Sequence, residues 1–219
     1  PQIFGLPIDR ETLFSNYKKV YKKRIENRQR KLIVKLTFLK PFLKQGEKIL
    51  QVSTGYSPIT SLAQFATGFL FVYLKRSVFV FTNYRIFHVP TTPNYKFKNA
   101  ITQIHYDGCR SITLKGGTLV VQYAKFGKVE KFRAIGLSER RKIRALLKSK
   151  PLSGTKAKLG ERVHLCPQCT HPLSSGKYVC ESCQLKFKNK IVAYIIAILI
   201  PGGGYFYTRY YLIGLLNAI

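Results

Sequence analysis

The spacing of apolar residues changes along the chain, and each change marks a segment. Up to about residue 45, Phe14, Tyr17, Val20, Tyr21 and Ile25, then Leu32, Leu36 and Leu39, recur at three- and four-residue steps, which predicts an amphipathic helix ending near Pro41. From Gly46 to Lys150 the period shortens. Strands are expected over 74–82, 84–89, 101–106, 110–114, 118–123 and 129–134, separated by Asn83, Asp107-Gly108, Lys115-Gly116-Gly117 and Phe126-Gly127. Ser138 then precedes a helix over 139–148 that offers Ile143, Leu146 and Leu147 to the sheet. Many short antiparallel strands closed by one C-terminal helix predict a small barrel or sandwich. Two uncharged runs stand apart from this pattern. Gly55–Leu74 carries Ser57, Thr60, Ser61, Gln64 and Thr67, and reads as a helix leading into a strand rather than a membrane span. Ile191–Tyr207 is interrupted only by Pro201-Gly-Gly-Gly204 and falls at the short end of a spanning helix.

Charge changes the picture most at the N-terminus. The chain has 38 Lys and Arg against 9 acids, a formal charge of +29, which points to polyanionic partners. Lys18, Lys19, Lys22, Lys23, Arg24, Arg28, Arg30 and Lys31 crowd one stretch relieved only by Glu26. These residues are the expected lipid- or polyanion-binding set, either lying on an anionic membrane or forming a solvated face packed on the neighbouring domain. Lysines before Ile191 and the basic excess upstream place the bulk of the chain on the cytoplasmic side of an inner membrane.

Cys166-Pro-Gln-Cys169 and Cys180-Glu-Ser-Cys183 are two Cys-x-x-Cys pairs separated by ten residues. Each short pair aims two sulfurs at one point, and the pattern reads as a four-thiolate zinc site in preference to two disulfides. With four thiolates the metal is closed to substrate, so the expected Zn2+ is structural. His164 and His171 flank the first pair and are expected to be surface residues. Cys109 is expected to be a buried small residue.

Three resemblances follow from these motifs. The Cys-Pro-x-Cys knuckle, with short strands expected at 178–179 and 185–187, resembles the zinc ribbon family over residues 164–188, which implies ligand roles for Cys166, Cys169, Cys180 and Cys183. Phe79-Val-Phe-Thr-Asn-Tyr-Arg-Ile-Phe87, with Gly117–Tyr123, Glu130–Phe132 and the helix, resembles bacterial PH-like domains; Thr82, Asn83 and Arg85 match that family's turn, with structural roles. Pro201-Gly-Gly-Gly-Tyr-Phe-Tyr-Thr-Arg-Tyr-Tyr211 resembles the hinge of TM2-type membrane hairpins. The expected fold is therefore an α+β multi-module chain. It comprises a basic amphipathic segment (1–45), a PH-like antiparallel barrel or sandwich with a C-terminal capping helix (46–150) and a linker (151–163). A small zinc ribbon (164–188) and a transmembrane helix or hairpin (189–219) complete it.

No catalytic constellation stands out. The four histidines have no nucleophile motif beside them, and the acids form no paired-carboxylate signature. The expected function is a membrane-anchored, non-catalytic adaptor or accessory subunit that binds anionic lipids and a membrane-protein complex. The alternatives are a membrane-tethered nucleic-acid-binding protein and a regulatory subunit of a transporter or enzyme complex.

Overall fold

The computed structural model describes residues 1–58, 74–124, 127–150, 161–174 and 176–218. Most of the uncharged run Gly55–Leu74 and of the linker 151–163 lies outside the described residues. Two compact units follow one another, Pro1–Pro172 and Leu173–Ile219.

In the first unit, β1 (Gln2–Ile3) and β2 (Leu6–Pro7) form a small hairpin before α1 (Arg10–Phe14), α2 (Lys23–Ile33) and a 3-10 segment, Val34–Phe42. Then come β3 (Ile49–Tyr56), β4 (Arg76–Thr82), β5 (Arg85–Pro90), β6 (Ile101–His105), β7 (Cys109–Lys115), β8 (Thr118–Tyr123), β9 (Val129–Phe132), α3 (Arg140–Lys148) and β10 (Val163–Leu165). The larger antiparallel sheet places β10, β6, β5, β4 and β3 side by side in that order, and β7, β8 and β9 form a second sheet. Two hydrophobic cores flank the larger sheet. Phe79, Phe81, Ile86 and Ile104 join Ile112, Leu119, Phe132, Ile143 and Leu147 in one core, between the two sheets and α3. Val78, Val80, Phe87 and Val89 join Leu13, Ile33, Leu36 and Leu39 in the other. Strands buried on both faces read as continuous apolar runs, as 78–81 does.

Of the expected barrel or sandwich, the described residues form two antiparallel sheets and no closed barrel. They meet at one corner, where Tyr56 N donates to Arg133 O (2.9 Å) and Arg133 N donates to Tyr56 O (3.3 Å). Gly55 permits this approach: a Cβ there would sit 2.9 Å from Arg133 O. The turn between β4 and β5 is held by its own side chains. Thr82 Oγ1 accepts from Arg85 N (3.0 Å), and Asn83 accepts from Lys48 N (2.7 Å) and donates to Gly46 O (3.0 Å). Arg85, 4% exposed, donates to Glu47 through Nε (3.0 Å) and Nη2 (2.7 Å). A buried charge needs such full pairing.

The single basic helix expected from residue 18 is also corrected. Asn16 Oδ1 accepts from the backbone of Lys18 (2.9 Å) and Val20 (3.1 Å), holding a turn in which Lys19 has φ 60°, so α2 starts only at Lys23. Pro41 lacks an amide donor, and the later part is 3-10 rather than α. The apolar stripe of Ile33, Leu36 and Leu39 faces the sheet. Gln29 covers the edge strand: its Nε2 donates to Val52 O (2.9 Å) and its Oε1 accepts from Val52 N (3.0 Å), as a neighbouring strand would.

In the second unit, Val179 and Lys186 form an isolated antiparallel bridge, and Phe187 N donates to Tyr178 O (2.7 Å). Asn189 caps α4 (Lys190–Leu199), which is followed by α5 (Gly203–Tyr207) and α6 (Tyr211–Ala218). No helix among the described residues is long and apolar enough to cross a membrane. The run expected to form a spanning helix is broken after ten residues, a length of about 15 Å against about 30 Å of hydrocarbon. Pro201 ends the hydrogen-bond ladder, and Gly202 turns the chain with φ 72°. A Cβ on Gly202 would lie 2.2 Å from Gly214 O.

Candidate metal centre and basic surface

Each Cys-x-x-Cys pair sits in a turn, and the two turns repeat one hydrogen-bond pattern. In the first, Cys166 N donates to His171 O (2.8 Å) and Thr170 N donates to Cys166 O (3.0 Å), with Thr170 at φ 64°. In the second, Cys180 N donates to Leu185 O (2.9 Å) and Gln184 N donates to Cys180 O (3.0 Å), with Gln184 at φ 59°. The leading cysteine of each pair is buried, and the trailing one is half-buried. Their sulfurs all lie within 4.8 Å of one another. Tetrahedral thiolate ligands about 2.3 Å from zinc stand about 3.8 Å apart, so the donor set fits a metal of that size and softness. The four cysteines could therefore hold a metal ion. His164 and His171 are not part of the cluster.

The sequence-predicted basic residues have unequal surroundings. Lys18, Lys19, Lys22, Lys23, Arg24 and Lys31 are exposed, and Arg28 and Arg30 are half-buried. Glu26 gathers two of them, with Arg30 Nε at 2.8 Å and Lys23 Nζ at 3.5 Å. Hydrogen bonds from Tyr21 and Arg30 hold the Glu26 carboxyl at about 2. Arg28 Nε lies 2.7 Å from Glu139 Oε1.

Two side chains of reactive types, Cys109 and His88, are buried. Burial pushes the Cys109 thiol up to about 12. His88, buried between β-strands, lies 2.9 Å from Ser57 Oγ and 3.1 Å from Ser77 Oγ through Nε2, while Nδ1 lies 3.0 Å from Thr102 Oγ1. Burial and then Arg162, 3.4 Å from Nδ1, lower its pKa well below the usual value and keep it neutral. A serine–histidine pair of this kind has a cation where a hydrolase places the carboxylate that stabilises imidazolium.

One group escaped sequence reasoning. Lys142, within α3, is only 7% exposed, and its Nζ donates to Leu13 O at 2.9 Å. In sequence it is one lysine among many in a basic helix, and the residues that bury it are more than a hundred positions away. Burial, then the nearby Arg28, lowers its pKa to about 7. No protein-family model matches the chain, and neither does any curated protein or any solved structure.

Proposed function

We propose that this chain is a non-catalytic, membrane-associated adaptor whose cysteine cluster holds a structural Zn2+. The observation that carries the membrane reading is the apolar surface of the second unit. Ile198 is 84% exposed, Leu199 and Leu212 73% and Leu216 68%, with Ile191, Tyr194, Ile195 and Leu215 also exposed. Scattered apolar side chains on a surface are ordinary, but a cluster of this density marks an interaction site. Short helices, the first two joined by a glycine turn, suit shallow insertion at the headgroup boundary, and Lys186, Lys188 and Arg209 beside them suit anionic lipid.

Two sheets followed by α3 support a PH-like body for the first unit, and the repeated knuckle geometry supports a zinc ribbon. A folded body, a metal site closed to substrate and an exposed apolar surface support the adaptor reading. Membrane-protein complexes on the cytoplasmic leaflet are its proposed partners.

Flotation of the full chain with vesicles tests the reading. The chain floats with phosphatidylglycerol-containing vesicles, and Ile198→Asp/Leu199→Asp abolishes flotation while leaving the circular dichroism spectrum unchanged. Flotation unaffected by the double substitution would sink the anchoring role of these helices. Salt-sensitive binding to DNA or RNA without vesicle binding would favour the nucleic-acid reading of the +29 charge instead.

A further inference from the structure

Residues 10–21 and α3 enclose a cleft of about 680 Å3 within the first unit. Its apolar wall comes from Phe14, Tyr21, Leu50 and Leu146. Arg10, Lys19, Lys142 and Lys150 also line it, against a single carboxylate, Glu11. This surplus of positive charge beside aromatic rings is unlike a solvated lysine face, because one of the cations is buried. When protonated, Lys142 has three donors, and among the described residues Leu13 O is its one hydrogen-bond acceptor. Buried polar groups ordinarily find partners, so a buried amine with spare donors lining open volume points to a ligand.

We infer that this cleft binds a phosphate monoester carried on an apolar body, with Lys142 meeting the phosphate at its base. Four cations against one acid match a dianionic head better than a carboxylate. Phe14 and Tyr21, with Leu50 and Leu146, cover the apolar body, which inorganic phosphate lacks. Glu139 is not among the residues lining this cleft and is paired with Arg28. The site stands independently of the membrane reading, since it uses no residue of the second unit.

Titration calorimetry of the full chain with inorganic phosphate, phenyl phosphate and dihexanoyl phosphatidate tests this inference. Either organic phosphate binds more tightly than inorganic phosphate. Preference for phosphatidate identifies a lipid headgroup as the source, and preference for phenyl phosphate a soluble metabolite. Lys142→Met weakens binding by about ten-fold or more, the loss expected for a charged hydrogen bond. Ala145→Glu, an exposed position lining the same cleft, weakens it without touching the core. Lys131→Gln, exposed on β9 and not among the cleft residues, leaves it unchanged. Binding equal to wild type in both cleft variants, an equal loss in Lys131→Gln, or no binding of any probe at millimolar concentration would overturn the inference.

Discussion

Lys142 shows how one buried side chain ties stability to pH. Its pKa falls to about 7, from 10.5, because burial disfavours the charged amine and Arg28 opposes it, with Glu139 and Asp9 acting in the other direction. Between those values the unfolded chain binds a proton that the folded chain does not, so stability rises with pH across this window; below about 7 the penalty is constant. From pH 7 to pH 10 the gain is on the order of 3 kcal/mol at most, at 1.36 kcal/mol per unit. Lys142→Met removes this rise. Urea midpoints measured from pH 7 to pH 10 on both proteins check it, because other groups that titrate there contribute equally to each. An identical slope in the two proteins would mean that Lys142 keeps its ordinary pKa.

At the scale of elements, the edge of the larger sheet decides what the N-terminal segment is for. Gln29 fills the backbone donor and acceptor of Val52 with one amide, and Asp9 N donates to Ile49 O (3.0 Å) further along the same strand. Gln29→Leu keeps the volume and leaves the buried Val52 amide unpaired, while Val52 O keeps the hydrogen bond from Gln51 Nε2 (2.8 Å), at a cost of about 1–3 kcal/mol. Its thermal midpoint drops, and the Val52 amide loses protection in hydrogen exchange while Val80 in β4 keeps it. Unchanged Val52 protection would show that the amide contact is dispensable. This role was not legible in the sequence. Gln29 belongs to a helix of polar residues, and its partner strand β3 hides its signal by burying Gln51 and Ser53 among apolar neighbours. The expected β4 to β9 lie where alternation, aromatic content and glycine turns place them, within a few residues at each end. The helix at 139–148 was legible for a similar reason, since Ile143, Leu146 and Leu147 share one face. By contrast, β10 has three residues, and it is long-range pairing, with β6 above all, that makes it a strand. Periodicity placed α2 but overran both its ends, because a side-chain turn at Asn16 delays its start to Lys23 and a 3-10 segment containing Pro41 follows Ile33.

For the whole molecule, the question is which part of the fold depends on the cysteine cluster. Ligand spacing was fully legible, because two sulfurs three positions apart in a tight turn are a local arrangement; the shared point of the four sulfurs is not local. Both hydrophobic cores are built from residues 6–165, and their strands are paired through continuous backbone ladders. The knuckle turns have few such contacts, and a metal ion replaces the missing core in modules of this size. Loss of the metal is therefore expected to loosen residues 166–187 while the sheets of the first unit persist. If the cluster holds zinc, elemental analysis of purified protein is expected to give about one zinc per chain, as one four-thiolate site requires. Cys180→Ser or prolonged chelation lowers that content and admits protease cleavage between Cys169 and Cys180. The main thermal transition, which reports the two cores, moves by only a few degrees. Full zinc content in Cys180→Ser would remove that thiolate from the ligand set. Collapse of the main transition on chelation would show instead that the cores depend on the metal.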